Sequence, residues 1–192
     1  MTRKIATVPP EYFEEKYKTD IDPWQFRTSE YEREKYQATL GSLTRERYRS
    51  GLEVGCSIGV LTKLLSPRCV SLLAIDASAT AIEAARAMNN KSVTFRVANL
   101  PAEFPEGTFD LIVLSEVLYY FDKPDLERVA RSCIDAISRD GEIVLCHWLG
   151  ETDYPLAGVD ASELFAGFIK PVLPIRSVLH DTTYRLERFS AG

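Results

Sequence analysis

Five short apolar runs alternate with helical stretches between residues 51 and 147, and this alternation restricts the chain more than any other feature. The runs are 51–54, 71–76, 93–97, 109–115 and 141–147, with helical patterns at 59–65, 79–88 and 125–137. The longest, around Leu111-Ile112-Val113-Leu114, is apolar at successive positions rather than alternate ones. Such a strand has both faces buried, as in a parallel sheet covered by helices on both sides. The expected fold class is therefore α/β, a doubly wound and mostly parallel sheet. Residues 174–179 and 183–189 flank the turn signal His180-Asp181-Thr182 and are expected to close one sheet edge as an antiparallel hairpin, giving seven strands. A short helix is expected within 162–168. Upstream, 11–17 reads as a helix and Asp22-Pro23 as a break. Ser29 reads as the N-cap of a second helix running to about Leu43, with Tyr36, Leu40 and Leu43 on one face.

The chain has 192 residues, 45% hydrophobic and 27% charged, which suits one folded domain and excludes wholesale disorder. Its formal net charge of -5 argues against a nucleic-acid partner, whose phosphates would need neutralising. No apolar run is long enough for a membrane span, and no apolar leader follows Met1, so a cytoplasmic location is expected. The four cysteines include no C-x-x-C pair and the histidines number two, so neither a structural nor a catalytic metal is expected.

The chemistry gathers at strand ends. Glu53-Val54-Gly55-Cys56-Ser57-Ile58-Gly59 lies at a strand-to-helix junction, where Gly55 permits a tight turn and Gly59 a close helix approach. The dinucleotide fingerprint needs a glycine where Ser57 stands, so a ligand whose polar end is an amino acid fits better than a pyrophosphate. Glu53 would accept from its ammonium group. Asp76 ends the next strand, 21 residues after Gly55, where an acid can hold both ribose hydroxyls. It could equally cap the helix behind it. Asn99 and Leu100 follow the third strand; the Asn99 amide could meet an adenine amino group or merely make a turn. The fourth strand delivers Ser115 and Glu116 to the same crevice, with Tyr119 and Tyr120 next to the reacting group or in the core.

As a set these residues resemble a class I S-adenosylmethionine-dependent methyltransferase, and more narrowly the NodS-like nodulation N-methyltransferases. The resemblance is carried by Asp22-Pro23-Trp24, Tyr31-Glu32-Arg33-Glu34-Lys35-Tyr36, Leu52-Glu53-Val54-Gly55-Cys56, Phe109-Asp110-Leu111-Ile112-Val113 and Glu116-Val117-Leu118-Tyr119-Tyr120. It covers about residues 20–147 closely and the rest loosely. It implies a Rossmann-like domain over 50–192 with an N-terminal helical lid over 1–49, in which Trp24 and Tyr31 cover the cofactor. It implies that the 53–59 loop (Glu53, Gly55, Cys56, Ser57 and Gly59) holds the methionine end of S-adenosylmethionine. Asp76 and Ala77 would hold the ribose, Asn99 and Leu100 would flank adenine, and Ser115 and Glu116 would lie beside the sulfonium, with S-adenosylhomocysteine as product. It also implies a small-molecule acceptor, the amine of an amino sugar.

The segment His147-Trp148-Leu149-Gly150-Glu151-Thr152-Asp153-Tyr154 follows the fifth strand and concentrates an imidazole, an indole, acids and a phenol. Such a loop can stack on and bond a sugar, with Tyr119, Tyr120, His147, Trp148 and Tyr154 as candidate acceptor contacts. His147 is the first candidate for a base, followed by Tyr119 and Asp153. The residues leave open an O-methyltransferase acting on a carboxylate or hydroxyl, a non-catalytic cofactor-binding module and the oligomeric state.

Overall fold

A computed structural model describes residues 3–88 and 93–191. In chain order the elements are α1 (Pro10–Thr19), α2 (Glu30–Ser42), β1 (Tyr48–Val54), α3 (Val60–Leu65), β2 (Cys69–Asp76), α4 (Ala79–Met88), β3 (Val93–Val97), β4 (Phe109–Ser115), α5 (Lys123–Ala136), β5 (Ile137–Trp148), α6 (Gly158–Ile169), β6 (Ile175–His180) and β7 (Tyr184–Ser190). The seven strands form one sheet in the order β3-β2-β1-β4-β5-β7-β6. Strands β1 to β5 are parallel, and β7 lies antiparallel between β5 and β6. The chain winds outward from β1 to β3 and returns to start again at β4. The carboxyl ends of β1 and β4 therefore border a crevice where the two halves part.

Both faces of the sheet are covered, which explains the unbroken apolar runs. In β4, Leu111 and Val113 pack with Tyr36 of α2 and with Leu61 and Leu65 of α3. The intervening Ile112 and Leu114 pack with Val129 of α5 and Phe165 of α6. Asp110 is the buried polar exception: its carboxylate accepts the backbone N–H of Arg49 and Ser50 at 2.9 and 2.8 Å, tying the start of β1 to β4.

Several boundaries differ from the sequence expectation. Strand β1 begins at Tyr48, before the apolar run, because Asp110 serves the amides of its polar residues. Helix α5 starts at Lys123 rather than 125, capped by Asp122, whose side chain accepts the Asp125 N–H. Helix α6 starts at Gly158, a residue that reads as a breaker. A Cβ there would come within 2.1 Å of the Trp148 carbonyl oxygen, so glycine permits the helix to begin against β5. Strand β5 extends from Ile137 to Trp148, with a register shift between Phe109 and Leu111 of its partner.

The N-terminal segment runs over the carboxyl edge of the sheet. Lys4 N–H donates to the Asp153 carbonyl at 2.7 Å and Val8 N–H to the Tyr120 carbonyl at 2.8 Å. Among the described residues no helix is long and apolar enough to cross a membrane.

Candidate active site

The crevice opens into a cavity of about 850 Å³, the size of a site for a nucleoside-bearing ligand and a small second molecule. Its β1–β2 half is built largely from backbone. Gly55 has φ +74, and a Cβ there would lie 2.2 Å from Val117 Cγ1. The turn is therefore closed to other residues on two counts. The amides of Gly55 and Cys56 both donate to the Ile75 carbonyl, at 2.8 and 2.9 Å, and bind the loop to β2.

Asp76 holds this loop from the other side. One carboxylate oxygen accepts Ser57 N–H at 2.8 Å and the other accepts Ser78 N–H at 2.9 Å. The capping alternative falls to its neighbours: Ser78 Oγ accepts the Ala81 N–H, and Glu14 of α1 accepts from Ser78 Oγ and from Thr80. These bonds pull the Glu14 carboxyl down to about 2. Burial pushes the Asp76 carboxyl up, partly offset by the amides of Ser78 and Ser57.

Glu53 is the polar end of this half. It is 2% exposed, and its Oε2 has no hydrogen-bond partner. Burial raises its carboxyl to about 8. Asn99 Oδ1 is a second buried acceptor without a partner, while the Asn99 N–H is held by Glu103. Cys56, Ser57, Ala77 and Leu100 line the wall between them. Gly59 does not line the cavity; it precedes α3 with φ +81.

Helices α1 and α2 cover this half. Tyr17 OH donates to Ser57 Oγ at 2.5 Å. Trp24 meets the Tyr17 ring edge-on and stacks on Phe26. Trp24 and Tyr31 both line the cavity.

The β4–β5 half is made of side chains. Glu116 follows β4 in a left-handed backbone conformation, φ +58. Its Oε1 accepts from Lys35 Nζ at 2.5 Å, and its Oε2 from Tyr119 OH at 2.8 Å and Trp148 N–H at 2.9 Å. Burial raises the Glu116 carboxyl, but the Lys35 charge and these donors overcome it and hold the group below its ordinary value. Tyr119 stacks on Tyr154 with ring centroids 5.6 Å apart, and Tyr120 meets the same ring edge-on at 4.5 Å. Ser115, Trp148, Asp153 and Tyr154 complete this wall, and Asp153 pairs with Lys4 at 3.3 Å.

His147 stands elsewhere. Its side chain is fully buried on the α6 side and is not part of the cavity wall. Nε2 accepts the Leu118 N–H at 3.1 Å, and Nδ1 lies 3.4 Å from Ser162 Oγ. An amide can only donate, so Nε2 carries no proton and the ring is the neutral Nδ1–H tautomer. Burial lowers its pKa to about 4. The expected base is thus a bracket for the turn carrying Tyr119, because strand alternation turns residue 147 away from the crevice while the Trp148 amide reaches it.

Sequence reasoning missed Glu32 and Lys35. Both are buried on α2, where a charged pair three residues apart reads as a solvated face. Their burial also shapes the electrostatics. Among the described residues six acids line the cavity (Glu32, Glu53, Asp76, Glu116, Glu151 and Asp153) with one base, Arg3, while Lys35 and Lys4 pair with Glu116 and Asp153.

The family described as Nodulation protein S (NodS) matches residues 11–148. The chain belongs to the NodS family. Nodulation protein S of Bradyrhizobium diazoefficiens is 32% identical over 127 residues, 64% of this chain and 61% of the relative. The Rhizobium tropici protein is 33% identical over the same length, 64% of this chain and 53% of the relative. This NodS-family chain thus spans little more than half the length of those curated relatives. The N-methyltransferase NodS of Bradyrhizobium japonicum, solved with S-adenosylhomocysteine, superposes with a TM-score of 0.77. It is 23% identical, with 92% of this chain and 97% of that one covered, and it shows that the fold is shared.

Proposed function

We propose that this protein is an S-adenosylmethionine-dependent N-methyltransferase acting on the amine of a small molecule, an amino sugar or a related metabolite. The observation that carries the reading is that the β1–β2 half of the cavity wall holds two buried acceptors, Glu53 Oε2 and Asn99 Oδ1, with no donor within hydrogen-bond distance. An unsatisfied buried acceptor is costly, and a ligand bringing donors removes that cost. S-adenosylmethionine carries an ammonium group and an adenine amino group, which match the two. The residues therefore fit the cofactor: Glu53 and the Gly55–Ser57 turn for its amino-acid end, Asp76 with Ala77 for the ribose, Asn99 and Leu100 for adenine. Ser115 and Glu116 would stand beside the sulfonium, under a lid that includes Trp24 and Tyr31.

When bound, S-adenosylmethionine supplies an activated methyl group to an incoming lone pair. The chain's own task is then to orient the acceptor and exclude water. The wall offers a carboxylate acceptor only one lining base, Arg3, and offers an amine several hydrogen-bond acceptors. Tyr119, Tyr120, Trp148 and Tyr154 give an aromatic surface against which a sugar ring can stack. Asp153 and Tyr119 remain as polar groups facing the acceptor. The reaction belongs in the cytoplasm on this reading, in keeping with four free, buried cysteines.

The test is turnover of labelled methyl donor against amino sugars, simple amines and carboxylic acids, with calorimetric titration of S-adenosylhomocysteine alongside. Amine turnover with cofactor binding is the expected result. Binding with turnover confined to carboxylates would overturn the acceptor, and no binding would overturn the cofactor.

A further inference from the structure

Lys35 is a buried ammonium, 1% exposed, on the helix that covers the cavity. It is shared between two carboxylates: Nζ donates to Glu32 Oε1 at 2.8 Å and to Glu116 Oε1 at 2.5 Å. Its charge also lies 5.1 Å from the centroid of the Tyr31 ring. Apolar residues of similar volume usually fill such a place with no loss of stability. An arrangement of this kind, joined to the left-handed backbone of Glu116 at the cavity wall, calls for a task beyond packing.

The task follows from counting protons. A phenol has one, and the Tyr119 hydroxyl gives it to Glu116 Oε2 at 2.8 Å. Trp148 N–H donates to the same oxygen at 2.9 Å, so Glu116 is surrounded by donors on both oxygens. While Lys35 keeps Glu116 ionised, that carboxylate can only accept, and as a charged acceptor it outcompetes the neighbouring Tyr120 hydroxyl for the phenol proton. Tyr119 lines the cavity, and its oxygen then has only lone pairs to offer a ligand there.

We propose that Lys35 and Glu116 are positioning residues that hold the Tyr119 oxygen as an obligate hydrogen-bond acceptor for an N–H of the methyl-accepting amine. The proposal rests on the N-methylation reading and deepens it. A bond from the amine N–H to this oxygen fixes the direction of the nitrogen lone pair, and no proton is transferred at Tyr119. In its neutral, nucleophilic form an amine can make this bond only if it retains at least one N–H. The site disfavours a fully substituted amine, which has none to donate, and a carboxylate, which would set lone pair against lone pair.

The experiment compares steady-state methyl transfer to glucosamine and to its N,N-dimethyl derivative in the wild type, Tyr119→Phe, Lys35→Met and the double variant. Melting temperature and S-adenosylhomocysteine affinity are measured on each. Tyr119→Phe is expected to lower kcat on glucosamine about tenfold to a hundredfold with cofactor affinity changed less than about threefold. It should also shrink the preference for glucosamine over the dimethyl derivative. Lys35→Met should lower kcat similarly, and the double variant should lose little more than either alone. Unchanged kcat in Tyr119→Phe, or losses that multiply in the double variant, would overturn the proposal. Should Lys35→Met not fold, Glu116→Gln enters the same cycle with Tyr119→Phe and decides it by the same criterion. A wild type that binds S-adenosylhomocysteine yet methylates no amine defeats the N-methylation reading, an outcome separate from an active wild type indifferent to Tyr119→Phe.

Discussion

The two halves of the cavity are built by different means. The β1–β2 half is a backbone device: a glycine turn, two amides on one carbonyl and a carboxylate that ties a loop to a helix start. The β4–β5 half is a side-chain device, in which Glu116, Tyr119, Trp148 and Tyr154 come from separate segments, and Lys35 reaches in from α2. A backbone device tolerates little variation, because its geometry is one conformation of one short segment. A side-chain device can be re-cut residue by residue, so one fold can keep one half of a cavity and change the other.

The largest effect expected from this contrast is at Gly55. Gly55→Ala puts a Cβ against Val117 and forces a left-handed conformation on a residue that resists it. A loss of about 2–5 kcal/mol in unfolding free energy is expected, with loss of cofactor binding. A variant that melts and binds like the wild type would break the claim that backbone builds this half.

His147 tests the opposite half. His147→Ala leaves the Leu118 N–H unpaired and opens a cavity, at a cost of about 2–4 kcal/mol. Turnover of the folded variant should stay within about threefold of wild type. A much larger fall in kcat at unchanged stability would return His147 to the chemistry. Its pH signature has a definite sign. The folded pKa of about 4 lies below the ordinary 6.5, so the unfolded chain binds the extra proton first and stability falls as pH drops from 6.5 towards 4. Urea unfolding across that window should show a loss of roughly 3 kcal/mol in the wild type that the variant lacks.

Asp76→Ala removes the carboxylate that holds the Ser57 and Ser78 amides. Cofactor affinity should fall about tenfold to a hundredfold by calorimetry, the worth of charged hydrogen bonds. Unchanged affinity would leave Asp76 a purely internal brace.

The effect that is smallest at any one pH near 7 is a proton released on binding. Glu53, raised to about 8, is mostly protonated near neutrality and must ionise to meet an ammonium group. Cofactor affinity should therefore climb by up to about tenfold per unit from pH 6 and level off near pH 8. Glu53→Gln should flatten that slope, and a slope identical in both proteins would place the ammonium elsewhere. In the unliganded protein the sign is reversed. Raised above its ordinary 4.5, this carboxyl makes stability decline as pH rises through about 8.

Much of the fold was legible in the chain. Leu111 to Leu114 read as a strand buried on both faces because both faces are in fact covered, and Ser29 read as a cap because its hydroxyl accepts the Glu32 N–H. The boundaries that slipped were those set by distant partners: Asp110 for the start of β1 and the Trp148 carbonyl for the glycine that opens α6. Most of the cavity wall was legible too, since Gly55, Asp76, Asn99 and Glu116 follow strands whose ends meet by topology. His147 misled because its neighbour Trp148 reaches the wall while the alternation of a strand sends residue 147 to the other face.

What the sequence determined alone is the sheet, its parallel core, its hairpin edge and the turn after β1, because each depends on short-range pattern: burial periodicity, caps and a glycine that no other residue replaces. What only the tertiary structure decided is the charge arrangement in the β4–β5 half of the cavity. Glu32 and Lys35 look solvated on a helix taken by itself. They become a buried pair only when α2 lies on the sheet and brings Lys35 to Glu116. Hydrogen-bond partners 81 residues apart leave no periodic trace, since their meeting is fixed by packing rather than by any local preference of the chain.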